Sequence, residues 1–123
     1  MDSKFQRALT ATYVFLSLTD AEGRYVEALP LADRALGWAR ELSPHEHMHA
    51  TFMVLWARHH LGLWQGIDEI LEEALEAMRG EEEMVCPYVR GGPMTAALTY
   101  AMLGERAQAE AILERIKLTW DEP

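Results

Sequence analysis

The run Pro44-His45-Glu46-His47-Met48-His49 holds the densest chemistry in the chain. His45, Glu46 and His49 spell His-Glu-x-x-His. On a helix those two histidines fall one turn apart on one face, where both imidazoles reach a single metal ion. In zinc peptidases the glutamate between them activates the metal-bound water. Glu46-x-x-His49 is also half of a di-iron signature, but the chain has no second copy. The catalytic alternative is therefore a zinc-dependent hydrolase built on the motif at 45–49, with His45 and His49 as its metal candidates.

Three features argue against that chemistry. Pro44 places the motif in the first turn of a helix, not inside a buried one. No strand is at hand to hold an extended substrate. A third ligand is hard to place. If the flanking helices fold back about residues 62–63, residue 47 faces roughly residue 78, at ~1.5 Å per residue. Glu69 and Glu72 then lie too far along, and Glu76 or Glu81 comes near. His59 and His60 sit at the far end of the same helix, away from His45. The expectation is a polar, partly exposed helix start with no metal, no cofactor and no enzyme activity.

The remaining reactive residues give less. Cys86 is the one cysteine, so no internal disulfide forms and a reducing cytoplasm is expected. No histidine or basic helix end is expected nearby to activate it as a nucleophile. Arg90-Gly91-Gly92-Pro93 lacks the lysine and the spacing of a phosphate-cradling loop. Glu81-Glu82-Glu83 reads as a solvated loop, and Glu69, Glu72, Glu73 and Glu76 as the outer face of a helix.

A chain of 123 residues is one domain, here 1–123, and is long enough for a core. Half of its residues are hydrophobic, which excludes disorder by composition. A formal charge of −9 argues against general nucleic-acid or anionic-membrane binding. The apolar run 11–18 is too short to span a membrane and contains Thr12 and Ser17. The chain reads as soluble and untargeted.

The elements that must position these residues are helices. From 61 to 78 a helix ends at Gly62 and another begins after Trp64. Ile67, Ile70, Leu71, Ala74, Leu75 and Met78 then make one wide apolar stripe. The same grammar recurs after Gly23 and Gly104. Helices are expected over about 4–19, 25–42, 44–61, 65–79, 93–103 and 107–118. Pro30 falls early in the second, which must start late or bend there. The stretch 80–92 is the one long connection. Tight turns at Gly23, Gly62 and Gly104 make antiparallel pairs, and those glycines lie 39 and 42 residues apart. A period of that size means stacked hairpins, here about 4–42, 44–79 and 93–120.

These residues resemble tetratricopeptide repeats. Gly23, Tyr25, Ala28 and Ala35 fit that pattern, as do Gly62, Trp64 and Ala74, with Ile67 for the first alanine. Gly104 and Ala109 fit, preceded by Ala97 and Tyr100. Leu55, Arg106 and Ile116 depart from it, and the period exceeds the usual ~34 residues. Longer repeats of this type resemble those of kinesin light chains. The stretch from Cys86 to Pro93, before Leu103-Gly104-Glu105, is similar to the helical arrays of bacterial signalling ATPases, nucleotide cyclases and large transcriptional regulators.

The resemblance implies an all-α fold of three stacked antiparallel hairpins, a TPR-like α-solenoid. It implies a protein–protein interaction or regulatory scaffold that binds an apolar peptide or helix, or self-associates. The first helix of each pair would line a concave groove. Position by position that gives Tyr13 and Ser17, then His49, Phe52, Trp56, His59 and His60, then Met94, Leu98 and Met102. An aromatic and methionine-rich groove suits an amphipathic helix. These positions hold no lysine, arginine or asparagine, so carboxylate-tail binding is not expected. Helix one carries Tyr13, Val14, Phe15, Leu16 and Leu18, too much apolar surface for one face, so a homodimer through it is a further expectation. The net charge suggests a partner with a basic rim. A small-molecule sensor pocket around Trp56, His59 and Tyr100 is the other alternative.

Overall fold

The structure is a computed structural model that describes residues 3–79 and 86–120, with the backbone alone at 87, 88 and 116–120. The expected loop Glu81-Glu82-Glu83, the packing of Met84 and Val85 and the end at 121–123 lie outside the described residues. Among those described, the chain is all-helical: α1 (Lys4–Leu16), α2 (Tyr25–Ala39), α3 (Pro44–Leu61), α4 (Ile67–Ala77), α5 (Pro87–Met102) and α6 (Arg106–Trp120). A π-helical turn (Ser17–Ala21) extends α1. No helix among the described residues is long and apolar enough to cross a membrane.

Local sequence explains the ends. Ser3 and Gln6 form a capping box on α1, with Gln6 N–H donating to Ser3 Oγ at 3.1 Å and Ser3 N–H to Gln6 Oε1 at 3.2 Å. Ser43 Oγ accepts from Glu46 N–H at 3.1 Å, and Pro44 occupies the first position of α3, where no donor is needed. Gly62 ends α3 with φ 71°, a left-handed conformation that costs a side-chain-bearing residue about 1–2 kcal/mol. There Leu63 N–H returns to Arg58 C=O at 2.9 Å, closing the corner before α4. The corner at Gly104 closes the same way, Glu105 N–H to Tyr100 C=O at 2.8 Å. At the first corner Arg24 N–H reaches back to Leu18 C=O at 2.8 Å, one residue further, because the π turn adds a residue.

Two prolines sit inside helices. Pro30 lies exposed within α2, which nonetheless starts at Tyr25. On the exposed side water can satisfy the carbonyl left without its partner. The helix expected to start at Pro93 starts at Pro87 instead, so Pro93 is interior and fully buried. Both prolines suit a first turn; the earlier one takes it, with Cys86 as the cap.

Packing follows the chain. The most extensive contacts join α2 to α3 and α3 to α5, then α5 to α6 and α1 to α2; α1 and α3 barely touch. Alanines 28, 32, 35 and 39 of α2 meet Ala50, Met53, Val54 and Ala57 of α3 in the first core, small residues that let the two backbones approach. Leu55, Ile67, Leu71, Ala96, Ala97, Tyr100, Ala109 and Ile112 form the second. Met48, Ala74, Met78 and Val89 form the third. Where α3 crosses α5, Gly91 and Gly92 lie so close that a Cβ on Gly91 would sit 2.6 Å from Phe52 Cδ1, and one on Gly92 3.1 Å from Met48 Sδ. The pairs 49 with 86, 52 with 91 and 59 with 99 advance together, so α3 and α5 run parallel.

Candidate functional site

Parallel packing puts the starts of α3 and α5 at one end, and there the reactive side chains gather. His45 and His49 occupy successive turns of α3, with ring centroids 4.3 Å apart. Cys86 is the cap residue of α5, and its Sγ lies 3.1 Å from His49 Nε2. One ligand atom from each of the three falls within 4.8 Å of the others. Glu46 Oε2 stands 3.8 Å from His49 Nδ1, on the opposite side of the ring from the thiol. Burial first, and then the neighbouring His45, hold His49 below its ordinary pKa, against the pull of Glu46. The imidazole is therefore neutral at pH 7, with a nitrogen lone pair to offer.

This corrects two expectations. Cys86 does have a histidine beside it, 37 residues away in sequence. The third donor for the motif at 45–49 is that cysteine. Glu76 pairs with Arg79 at 2.7 Å, and Glu81 lies outside the described residues. The start of α3 meets the end of α4, as the hairpin reflection expects, and also the start of α5, and it is α5 that supplies the donor.

His47 points elsewhere and is buried. Its Nε2 lies 2.9 Å from Glu73 Oε2, a contact too bent to be a hydrogen bond. Arg40 grips the same carboxylate with Nε at 2.6 Å and Nη2 at 3.2 Å. Glu73 thus ties the end of α2 to α3 and α4, and is more than outer-face charge. Burial, and secondarily Arg40, push the His47 pKa down, while Glu73 opposes them. The Arg40 hydrogen bond holds the Glu73 carboxyl below its usual range.

Of the expected groove residues, α3 brings four together. Phe52 and Trp56 lie 6.0 Å apart, Trp56 meets His59 at 6.2 Å and His60 at 4.5 Å, and His60 stacks on Tyr25 at 4.2 Å. Thr99 Oγ1 donates its one proton to Thr95 C=O at 2.9 Å, so His59 Nδ1–H donates to Thr99 Oγ1 at 2.8 Å. Burial, then His60, lower the His59 pKa. His49, three residues before Phe52, turns its Nε2 to Cys86 Sγ. Met94, Leu98 and Met102, every fourth residue, form an exposed stripe on α5. Tyr13, 65% exposed, stands on α1 and Ser17 in the π-helical turn that extends it, and α1 barely touches α3. Trp56 packs against the first core and beside His59, while Tyr100 sits in the second core.

A groove of about 600 Å³ opens instead between α1 and α2, lined by Gln6, Arg7, Thr10, Ala11, Val14, Leu31, Arg34 and Trp38. Beside it Phe5, Leu9 and Tyr13 are exposed at every fourth residue. Of the surplus apolar residues on helix one, Phe15 is buried and Leu16 and Leu18 pack on the core, which leaves Tyr13 and Val14 outside. The Arg34 guanidinium lies 5.5 Å over the Trp38 ring. Leu31 and Trp38 were missed, although both fall off the stripe of Leu29, Ala32, Leu36 and Ala39 that faces the core.

Set against family models, curated proteins and solved structures, the chain matches none.

Proposed function

We propose that this chain is a cytoplasmic, TPR-like helical-repeat module that acts by binding, not by catalysis. It receives an amphipathic helix of a protein partner in the groove between α1 and α2. The observation that carries this reading is the groove itself, whose lining combines Ala11, Val14, Leu31 and Trp38 with Gln6 and Thr10 and, as its charged residues, Arg7 and Arg34. Helices dock into such grooves through apolar anchors, and the flanking charges choose the partner. The charged residues of the lining are both arginines, so the preferred helix carries carboxylates beside its anchors. That reverses the sign the net charge of −9 suggested, because local charge governs contact.

The glycine corners and the parallel α3 and α5 support the repeat reading. The position of Glu46 favours binding over hydrolysis. A general base must face the metal-bound water, and this carboxylate stands behind the His49 ring.

Selection of displayed amphipathic helices against the purified chain tests the proposal. Selected sequences are expected to carry Asp or Glu flanking apolar anchors. Val14→Asp is expected to weaken them roughly tenfold or more, and Arg34→Glu to erase the preference for carboxylates. Binders indifferent to both substitutions would overturn it. So would a concentration-dependent dimer, seen by light scattering, that Val14→Asp abolishes, since a second copy would then fill the groove.

A further inference from the structure

We propose that His45, His49 and Cys86 form a zinc site that clamps the start of α5 to the start of α3, two imidazole nitrogens and one thiolate binding the ion and water completing the tetrahedron. The inference is independent of the α1–α2 groove. Its basis is a donor set brought together from two helices.

The donors themselves select the ion. Magnesium and calcium take oxygen ligands, whereas two imidazoles and a thiolate suit zinc. The spacing fits as well. Zinc bonds of ~2.0–2.3 Å in a tetrahedron separate their donors by roughly 3.3–3.6 Å. His49 Nε2 and Cys86 Sγ stand 3.1 Å apart, and all three ligand atoms lie within 4.8 Å, so small side-chain rotations suffice. Orientation agrees too. His49 turns Nε2 to the thiol and Nδ1 to Glu46 Oε2 at 3.8 Å, the order of a metal–histidine–carboxylate chain in which the carboxylate steadies the ring. Glu46 is then a positioning residue. On binding, the Cys86 S–H bond gives way to a sulfur–zinc bond and its proton goes to solvent, with no change of oxidation state.

Tag-free protein, stripped with a chelator and titrated with Zn²⁺, and separately with Co²⁺ as a coloured stand-in, tests the site. One equivalent is expected to bind, to release protons, to raise the melting temperature, and in the cobalt form to show a thiolate-to-metal charge-transfer band. Cys86→Ser is expected to abolish that band, and His45→Gln, at the start of the helix, to weaken binding more than tenfold. Glu46→Gln is expected to weaken it by roughly ten- to a hundredfold while keeping the band. His60→Ala, outside the cluster, leaves all of these unchanged. If Cys86→Ser does not fold, His45→Gln decides alone. Absence of the band in the unaltered protein would overturn the proposal, as would binding that survives His45→Gln undiminished or a site that takes copper and refuses zinc.

Discussion

His47 and His59 set a pH dependence that can be worked out by sign. His47 is enclosed by Glu73 of α4 and Arg40 beyond α2, and His59 by His60 and Thr99. Both folded pKa values lie below the ordinary 6.5, so below that pH the unfolded chain binds more protons than the folded one. Stability is therefore fully present above about 6.5 and drains away as the pH falls toward the folded values. Glu73, also lowered, loses its contribution in the same direction but in the carboxylate range, while Asp33, raised mainly by burial, opposes it there. Urea midpoints are expected to fall between pH 7.5 and 5.5, and the slope to shrink in His47→Gln. Sequence alone placed these histidines on helical turns. It did not show which sides were buried, because that depends on which helix packs on each side of α3.

At the scale of the element, the crossing of α3 and α5 turns on the absence of side chains at Gly91 and Gly92. Alanine at 91 gains about 1 kcal/mol of helix propensity. It also drives a methyl to 2.6 Å from the Phe52 ring, and overpacking of that kind costs about 1–3 kcal/mol. Gly91→Ala is expected to lower the denaturation midpoint on balance, and Phe52→Leu, which removes the ring, to restore part of the loss in the double variant. Read as sequence, the Arg90-Gly91-Gly92-Pro93 run looked like a connection, since glycine and proline are punctuation. The corners at Gly23, Gly62 and Gly104 were legible because the residues that make them are adjacent. The start of α5 was not, because two prolines compete for it and only burial of Pro93 against the fold separates them.

At the scale of the molecule, α3 belongs to every core. It supplies Ala50, Met53, Val54 and Ala57 to the first, Leu55 to the second and Met48 to the third. Leu55→Ala is expected to cost about 2–5 kcal/mol and to lower amide-exchange protection from α1 through α6. Ile112→Ala is expected to lower it in α5 and α6 while α1 and α2 keep theirs, since Ile112 lies in the second core, to which α1 and α2 contribute no buried residue. The all-helical class and the three hairpins followed from periodicity and corner residues. The shared role of α3 did not, since each apolar stripe taken singly has no address.

That sharing also bears on how the chain is made. When α1 and α2 have been synthesised and α3 has not, the alanine seam of α2 has Ala11 and Phe15 of α1 against it but lacks Ala50, Met53, Val54 and Ala57. The opening hairpin is therefore packed on one side only until α3 has been synthesised, and consolidation of this core waits for that helix.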